Sequence, residues 1–387
     1  MWRNIDWTAE RVKSEWTFRE VYFPSFGEGK NLGFVTGGKG SLSALNDMKH
    51  TATLEIDGGL PNEDNMVRVY YSCTNILGEE SGEIPVATMF VSVPEPKHRA
   101  TNDGERISGT VNCTSVLSLL DRKLLHAPLV LPKGTPAIEI CKELIDECRL
   151  PYQADETSYV TGRDRDYDEG TPYLDVIRDL CDIGGFRAPY PDEYGTVILE
   201  KYEPPFTADP VYTFERGANA IHLREIPFST NHRDTPTTMV VSYSTENYKF
   251  IGVATNNDQD SPSSLVNRNG IATEEYRQIE ELTGSTYEEQ EQQVRDKAIS
   301  SLKANSDKIE HMEITHLFVP QVRPNRVIRT IDQNIDFNGA VTNVEMEFTP
   351  RALCTTKSRM LTNPQVMIDV DVAFYGEFIL PEEESDG

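Results

Sequence analysis

The chain has 387 residues, of which 38% are hydrophobic and 26% are charged, a balance that excludes a disordered polypeptide and a membrane protein. Its 63 acidic residues outnumber its 37 basic residues and give a formal net charge of −26, which disfavours stable binding to nucleic acid or anionic lipid. No apolar run is long enough to cross a bilayer, and the first residues lack the apolar core of a signal peptide. We therefore expect a protein that folds in a cytoplasm and has no membrane span.

The first third of the sequence, residues 1–122, predicts an antiparallel β-barrel. In the run KHTATLEIDGG, Ala52, Leu54 and Ile56 alternate with polar residues, which is the period of a half-buried strand. Similar runs follow at short intervals and are separated by turns rich in Gly, Asn, Asp and Pro. Such spacing is typical of a small barrel or sandwich.

The stretch GGKGS at residues 37–41 has the composition of a phosphate-binding loop. Such a loop needs Lys followed by Ser or Thr, placed between a strand and a helix. Here Gly40 follows Lys39, and both flanking segments are predicted strands, so no helix N-terminus is available for a phosphate. The stretch therefore predicts a glycine-rich turn between two strands and no nucleotide site.

Residues 123–204 predict a separate α+β module. The run TPAIEICKELIDECRLP has helical periodicity, with Thr135 placed to cap the helix and Pro136 in its first turn. A second helix in GTPYLDVIRDLCDIGG ends at paired glycines. The run FRAPYPDEYGTVILEKY then predicts a hairpin.

Strands return in residues 205–255 and 307–380, which predict a second β-barrel. Residues 256–306 interrupt it with a polar loop and one helix, acidic at its start and basic later, as the helix dipole favours. Residues 381–387 form an acidic tail. The predicted fold class is therefore mainly β with α+β insertions: two antiparallel β-barrel-like domains, a small α+β module and a helical insertion.

Two histidines in HMEITH, His311 and His316, flank Glu313 as in a zinc-protease motif. A zinc-binding helix spaces its histidines four apart, so that both lie on one face. These histidines are five apart in a period-two run, so they point to opposite sides of a strand. No metal site is predicted there.

The run RDRDYDEG places Asp164, Asp166 and Asp168 at the alternating positions of a calcium loop. Glu169 stands where the loop requires glycine, and a helix N-terminus favours acidic neighbours in any case. Ion binding by this loop therefore stays an open alternative. The seven histidines are scattered and no nucleophile motif occurs, so we predict no catalytic, cofactor-binding or metal-binding residue.

The six cysteines do not form a Cys-x-x-Cys pair, which makes a zinc or redox motif unlikely on spacing grounds. We expect small buried side chains with reduced thiols. They are Cys73, Cys113, Cys141, Cys148, Cys181 and Cys354.

The order of these segments resembles that of the baseplate hub, or tail-tip hub, proteins of tailed bacteriophages and related contractile injection particles. The similarity is carried by RVYYSC followed by PVATMFVSVPEPKHR, by GTVNCTSVLSLLDRKL, by GTPYLDVIRDLCDIGGFRAPYPDEYGTVILEKYEPP and by DSPSSLVNRNG. It extends over nearly the whole chain and rests on module order together with these segments.

The resemblance implies a structural homotrimer without catalysis or cofactor. Three chains with two similar barrels each would form a pseudo-sixfold ring. That ring would join the hexameric tail tube or distal tail protein to a central spike, fibre or tape-measure protein. DNA would be a partner only in transit through the channel, and the protein would be part of the virion, assembled in the host cytoplasm. Many relatives carry a C-terminal peptidoglycan-cleaving domain; this chain stops near residue 387 without one, which argues against cell-wall lysis by this polypeptide.

Two alternatives remain at this point. The 63 acidic residues supply many carboxylate pairs, so a tail-associated enzyme that cleaves peptidoglycan or polysaccharide stays open. A receptor-binding tail protein also fits a β-rich chain, although the sequence has no repetitive fibre segment.

Overall fold

The computed structural model describes residues 11–60, 65–75, 77–92, 97–101, 104–203, 208–217, 220–230, 235–259, 261, 264–279, 282, 284–306, 310–332, 335–360 and 368–377. Within these ranges the chain forms 22 strands and four helices. The fold is mainly β with small helical insertions, which confirms the fold class expected from the sequence.

Strands from the first third of the chain close into a six-stranded antiparallel ring. Their bounds are β1 Arg11–Tyr22, β2 Gly27–Ser43, β3 His50–Gly58, β4 Met66–Asn75, β5 Ile84–Ser92, β6 Lys97–Thr101 and β7 Gly104–Ser115. The hydrogen-bonded order is β1-β4-β5-β7-β3-β2, and β2 pairs with β1 again to close the ring. The strand β6 pairs only with β7 among the described residues.

The predicted turn at residues 37–41 is wrong, because this stretch lies inside β2. A bulge between Val35 and Gly37 lets β2 continue along β3. Gly38 has a φ of 110°, and a Cβ there would lie 2.0 Å from the Thr53 carbonyl oxygen. Only glycine fits so close to a neighbouring backbone at this φ. The glycines therefore serve strand pairing.

The later strands extend the same sheet. Their bounds are β13 Tyr212–Glu215, β14 Phe228–Thr230, β18 Glu310–Leu317, β19 Val327–Asp332, β20 Ile335–Glu347 and β21 Leu353–Met360. The second half of β2 pairs with the second half of β20, and the order continues β20-β21-β18-β14, with β19 and β13 branching from β20. The β2–β20 pairing thus joins strands that lie about 300 residues apart in sequence.

The α+β segment contains three helices and two small sheets. Its elements are α1 Ser118–Arg122, β8 Leu129–Leu131, α2 Ala137–Glu147, β9 Tyr152–Ala154, β10 Arg165–Tyr167, α3 Tyr173–Ile183, β11 Tyr190–Pro191 and β12 Val197–Leu199. Apolar residues of α2 and α3, such as Ile138 and Ile177, are completely or almost completely buried in one core. The helix α2 begins after Pro136, and the Thr135 hydroxyl donates to the Pro132 carbonyl, so Thr135 does not cap it as predicted.

The chain divides into two compact units. Unit 1 comprises Met1–Pro227 with Glu313–Ser358, and unit 2 comprises Phe228–Met312 with Arg359–Gly387. Unit 2 has a four-stranded sheet, in the order β17-β15-β16-β22, and the helix α4. Their bounds are β15 Thr238–Ser244, β16 Tyr248–Asn256, β17 Glu274–Gln278, α4 Tyr287–Ser306 and β22 Ile368–Gly376.

The core of unit 2 forms between α4 and one face of its sheet. Val294, Ala298 and Leu302 of α4 are fully buried in the same cluster as Phe250 and Val241. The segments expected to form the second barrel therefore contribute strands to both sheets. The division of the chain into five segments at the expected boundaries stays a prediction.

Candidate functional site

One face of the unit 1 sheet carries a continuous set of polar side chains, which we call the polar face. Each member alternates with a buried residue along its strand, because successive side chains of a strand point to opposite sides. The members are Thr110, Asn112 and Thr114 of β7; Thr51, Thr53 and Glu55 of β3; Lys39 and Ser41 of β2; Asn343, Glu345 and Glu347 of β20; Thr355 and Lys357 of β21; and Thr315 of β18.

The strand register places these side chains in rows that cross the sheet. In one row, Asn112 lies opposite Thr53, Thr53 opposite Lys39, and Lys39 opposite Glu347. The next row has the same construction, with Thr114, Thr51, Ser41 and Glu345 as its members. The polar face is therefore unbroken where β2 meets β20.

Hydrogen bonds between strands hold this face in place. The Thr53 hydroxyl donates to the Asn112 side-chain oxygen at 3.1 Å, and the Ser41 hydroxyl donates to the Asn343 side-chain oxygen at 3.0 Å. The Asn343 amide in turn donates to Glu345 at 3.1 Å. Cross-strand pairs of this kind each contribute roughly 0.2–1 kcal/mol to the stability of a sheet. These bonds therefore orient the side chains of each row with a modest free energy.

Charges on the polar face nearly balance. Glu55, Glu345 and Glu347 are opposed by Lys39 and Lys357, and the Lys357 ammonium lies 3.4 Å from a Glu345 carboxylate oxygen. A groove of about 570 Å³ runs along this face. A hydroxyl-rich surface with a slight acidic excess binds water well and offers no cluster of cations to a polyanion.

A second cluster in unit 1, which we call the arginine clamp, fastens the turn between β11 and β12 to the ring of strands. Arg68 of β4 is only 3% exposed. Its guanidinium donates to the Thr88 hydroxyl at 2.8 Å, to a Glu28 carboxylate oxygen at 2.7 Å and to the Tyr194 carbonyl at 3.1 Å. The Thr88 hydroxyl donates to the Glu193 carbonyl at 2.8 Å, so the turn is anchored at two successive carbonyls.

Glu28 is the carboxylate of this clamp. It accepts hydrogen bonds from Tyr70, Arg68 and Arg19. These bonds, that from Tyr70 foremost, lower the pKa of Glu28 below its ordinary value, although burial opposes the shift. Burial, helped by the bond to Glu28, raises the pKa of Tyr70 to about 12. At neutral pH the clamp therefore joins a carboxylate, a guanidinium and a neutral phenol.

The stretch at residues 37–41 contributes two side chains, Lys39 and Ser41, to the polar face. The residues His311, Glu313 and His316 lie in β18 as predicted. His316 is buried, and one ring nitrogen lies 2.7 Å from the Thr356 hydroxyl while the other lies 2.7 Å from the Leu317 carbonyl oxygen. Both of its nitrogens thus have structural partners.

The three aspartates singled out in the sequence lie in the strand β10 and directly on either side of it. Asp166 lies in β10 and pairs with Val130 of β8. An Asp164 carboxylate oxygen accepts from the Lys133 backbone N–H at 2.6 Å, and the Asp168 carbonyl accepts from the Thr171 hydroxyl at 2.8 Å. Across the described residues, no group of three or more His, Cys, Asp or Glu side chains could hold a metal ion.

All six cysteines are free thiols, as predicted, and Cys148 is half-buried where the other five are buried. A hydrogen bond with Cys181, together with burial, raises the pKa of Cys141 above its ordinary value. Cys141 and Cys181 belong to the packed core of the α+β segment, and Cys148 packs against it. In the part of the chain that the structure covers, no helix is both long and apolar enough to cross a membrane.

Sequence reasoning missed the two features that organise the site. The alternation in Thr51–Glu55 correctly predicts which side chains share a face. It gives no sign that β2 pairs with β20, because alternation does not fix the partner or the register of a strand. The sequence around Arg68 likewise reads as an ordinary strand and does not signal that this arginine is buried.

The sequence matches no protein-family profile and no curated protein. Comparison with solved structures finds similar folds in phage tail proteins. The tail protein from Neisseria meningitidis MC58 aligns with a TM-score of 0.61 and 11% identity over 89% of this chain and 96% of its own. The 43 kDa tail protein of prophage MuSo2 from Shewanella oneidensis aligns with a TM-score of 0.60 and 12% identity over 90% and 98%.

The prophage tail protein gp18 from Listeria monocytogenes EGD-e aligns with a TM-score of 0.52 and 13% identity over 90% of this chain and 95% of its own. At such identities the likeness concerns the fold and carries no residue roles. The chain therefore shares, along about nine tenths of its length, the fold of these phage tail proteins.

Proposed function

We propose that the chain is a structural, non-catalytic component of a bacteriophage tail tip or baseplate. The observation that carries the proposal is the likeness in fold to phage tail proteins over nearly the full length of both chains. Fold alone does not fix function, and the polar face provides separate support for this role.

In this proposal the protein acts as a hub, and three copies form a ring around a channel. Each copy contributes two barrel segments, residues 1–122 and residues 205–255 with 307–380, so that threefold copies imitate sixfold geometry. In this proposal, the module at residues 123–204 and the insertion at residues 256–306 lie outside the two barrel segments. A closed ring buries subunit contacts and leaves no open end, as is usual for homo-oligomers.

The polar face is the surface that we assign to the channel wall. It spans the β2–β20 pairing without a break, so a single continuous surface would face the channel from each copy. Its hydroxyls and amides hold water, and its slight acidic excess matches a chain of net charge −26. DNA in transit would meet a hydrated wall that neither captures it nor blocks it.

The proposed position at the tail tip or baseplate determines which proteins the ring would contact. One side of the ring would contact the hexameric tail tube or distal tail protein, and the other a central spike, fibre or tape-measure protein. The protein would belong to the virion and be assembled in the cytoplasm of the host bacterium.

The proposal is tested first by the mass of the purified protein in solution, from sedimentation or native mass spectrometry over a range of concentrations. We expect a species of three times the chain mass of 43.6 kDa, or larger assemblies once tail partners are added. A protein that stays monomeric at high concentration would count against the ring. Release of fragments from purified peptidoglycan or host polysaccharide would instead favour an enzyme.

A further inference from the structure

A cavity of about 270 Å³ lies in unit 1, away from the polar face. Its wall is built by five segments: the end of β2, the start of β3, the region of β9, the hairpin of β11 and β12, and the loop before β19 at residues 323–326. His50, Gln153, Tyr190, Asp192 and Arg323 are among the side chains that line it.

His50 is a buried polar residue of this wall, as are Ser43 and Lys49. His50 is 5% exposed, and its Nδ1 atom has no hydrogen-bond partner among the residues that the structure describes. Burial, reinforced by the nearby positive charge of Arg323, lowers the pKa of His50 to about 3. The imidazole is therefore neutral at physiological pH, and a buried polar atom of this kind needs a partner that can share a hydrogen bond.

The charged groups of the cavity are already paired in large part. Arg323 donates to the carbonyls of Val86 and Pro85 at 3.2 and 3.3 Å and lies 3.6 Å from a Glu193 carboxylate oxygen. Arg326 lies 3.6 Å from Glu200.

Two further carboxylates on the wall, Asp155 and Asp192, accept backbone N–H groups. Lys49 adds a cation and donates to the Ala44 carbonyl at 2.6 Å. A free anion would meet repulsion from Asp155 and Asp192 as well as attraction from Lys49 and Arg323, and a free cation the reverse, so the wall favours neither sign. A neutral molecule with many hydroxyl groups fits a wall that carries charges of both signs. Each hydroxyl can donate a hydrogen bond to a carboxylate or accept one from a cation.

We propose that this cavity binds a small neutral polyhydroxyl compound the size of one monosaccharide, with a ligand hydroxyl hydrogen-bonded to His50 Nδ1. The volume corresponds to about nine water molecules at about 30 Å³ each, which suits one sugar ring and not an oligosaccharide. The side chains of Asp192, Asp155 and Gln153 supply further acceptors and donors at the wall. The site is independent of the proposed place of the chain in a tail.

Ligand-observed NMR and thermal melting of the full-length protein test this site. The probes are D-glucose, D-galactose, N-acetyl-D-glucosamine and myo-inositol, with glycine as a zwitterion and inorganic phosphate as an anion. We expect saturable binding of at least one sugar or inositol at millimolar concentration, typical of a small ligand with few contacts. Glycine and phosphate should not bind.

Three variants locate the binding. His50→Phe removes the Nδ1 atom and should weaken binding at least about tenfold, a difference of roughly 1.4 kcal/mol. Gln153→Leu changes an exposed lining residue and should weaken binding even if His50→Phe fails to fold. His126→Phe alters an exposed histidine outside the cavity and should leave binding unchanged.

Two results would overturn the proposal. One is the absence of saturable binding by every sugar and by inositol, with only ordered water in the cavity in a high-resolution map. The other is binding that neither His50→Phe nor Gln153→Leu changes. Preferential binding of glycine or phosphate would replace the neutral ligand with a charged one and would equally contradict the inference.

Discussion

The sheets of the two units present different chemistry on their outward faces. In unit 1 the outward side chains form the polar face, in which Ser, Thr, Asn, Lys and Glu exchange hydrogen bonds across strands. In unit 2 one face of the sheet packs against α4. The outward side chains there mix apolar residues such as Ile251, Ala373 and Tyr375 with the carboxylates of Asp369 and Asp371, and Tyr375 is 59% exposed.

Both sheets obey the same period-two alternation, so alternation alone says which residues share a face. The kind of side chain decides what that face can contact. Hydroxyl and amide groups keep their hydrogen bonds in water, whereas aliphatic and aromatic groups gain free energy when they leave water, about 25 cal/mol per Å². The polar face is therefore suited to remain wet, whereas the outward face of unit 2 combines both kinds of group, because Asp369 and Asp371 share it with Ala373 and Tyr375.

The largest expected effect comes from the glycines that shape the two sheets. Gly38→Ala in unit 1 should lower the free energy of unfolding by about 3 kcal/mol, because a Cβ would lie 2.0 Å from a backbone oxygen at a φ that disfavours it. Gly252→Ala in unit 2 meets the Val294 side chain at 2.8 Å and should cost about 1 kcal/mol. Urea unfolding measures both.

Gly217→Ala is the control for these glycine variants. No heavy atom lies within 4 Å of a Cβ at that position, so the change should stay within about 0.5 kcal/mol. Equal losses for Gly38→Ala and Gly252→Ala would contradict the close backbone approach of β2 and β3.

Loss of the arginine clamp should have the next largest effect on the free energy of unfolding. Arg68→Met removes three charge-assisted hydrogen bonds from a buried site and should cost about 2–3 kcal/mol. In unit 2, Arg295 donates to the Val370 carbonyl at 2.9 Å but is 35% exposed, so Arg295→Met should cost less, about 1 kcal/mol. Chemical denaturation of the two variants compares them, and a larger loss for Arg295→Met would show that the clamp does not anchor the hairpin.

Charge-reversal variants test whether the polar face of unit 1, and not the sheet of unit 2, meets the DNA. Glu345→Lys with Glu347→Lys would turn the polar face cationic. Particles that carry this pair should release DNA about tenfold more slowly, because each new phosphate contact adds affinity. The matched pair Asp369→Lys with Asp371→Lys changes the sheet of unit 2 by the same charge and should leave release unaltered. Time courses of DNA release that slow equally for both pairs would remove the polar face from the channel wall.

The smallest expected effect is the change in stability with pH that Glu28 causes. Since the pKa of Glu28 is lowered below its ordinary value of 4.5, its contribution to stability is fully present above pH 4.5 and is lost as pH falls through the lower value in the folded protein. Glu28 is more than a third exposed, so this contribution should be below about 1 kcal/mol.

Unfolding at several pH values should show a shallower acid loss in Glu28→Gln than in the parent protein. The exposed Glu274 of β17 provides the control, and Glu274→Gln should leave the pH profile as it is. An unchanged acid limb in Glu28→Gln would mean that Glu28 is not stabilised by the clamp.

The sequence predicts strands and helices of this fold well where the element leaves a periodic pattern in its own residues. The alternation around Thr53 predicted β3, and helical periodicity predicted α2, α3 and α4 close to their observed bounds. The glycines of residues 37–41 predict a turn, because glycine is common in turns, whereas in the structure they permit a bulge and a close approach between strands.

The polar face could be predicted only in part. The sequence places Thr51, Thr53 and Glu55 on one side of a strand. It cannot place Glu347 beside Lys39, because a pairing over about 300 residues depends on the whole fold and leaves no local trace. Burial of Arg68 and of His50 depends in the same way on segments distant in sequence.

A cryo-electron microscopy map of the assembled tail tip, or of the purified oligomer, tests the central claim most directly. The account predicts three copies around one axis, with the row of Asn112, Thr53, Lys39 and Glu347 turned towards the channel. A map in which this row packs against a neighbouring subunit or faces outward, or in which the copies lack rotational symmetry, would contradict it.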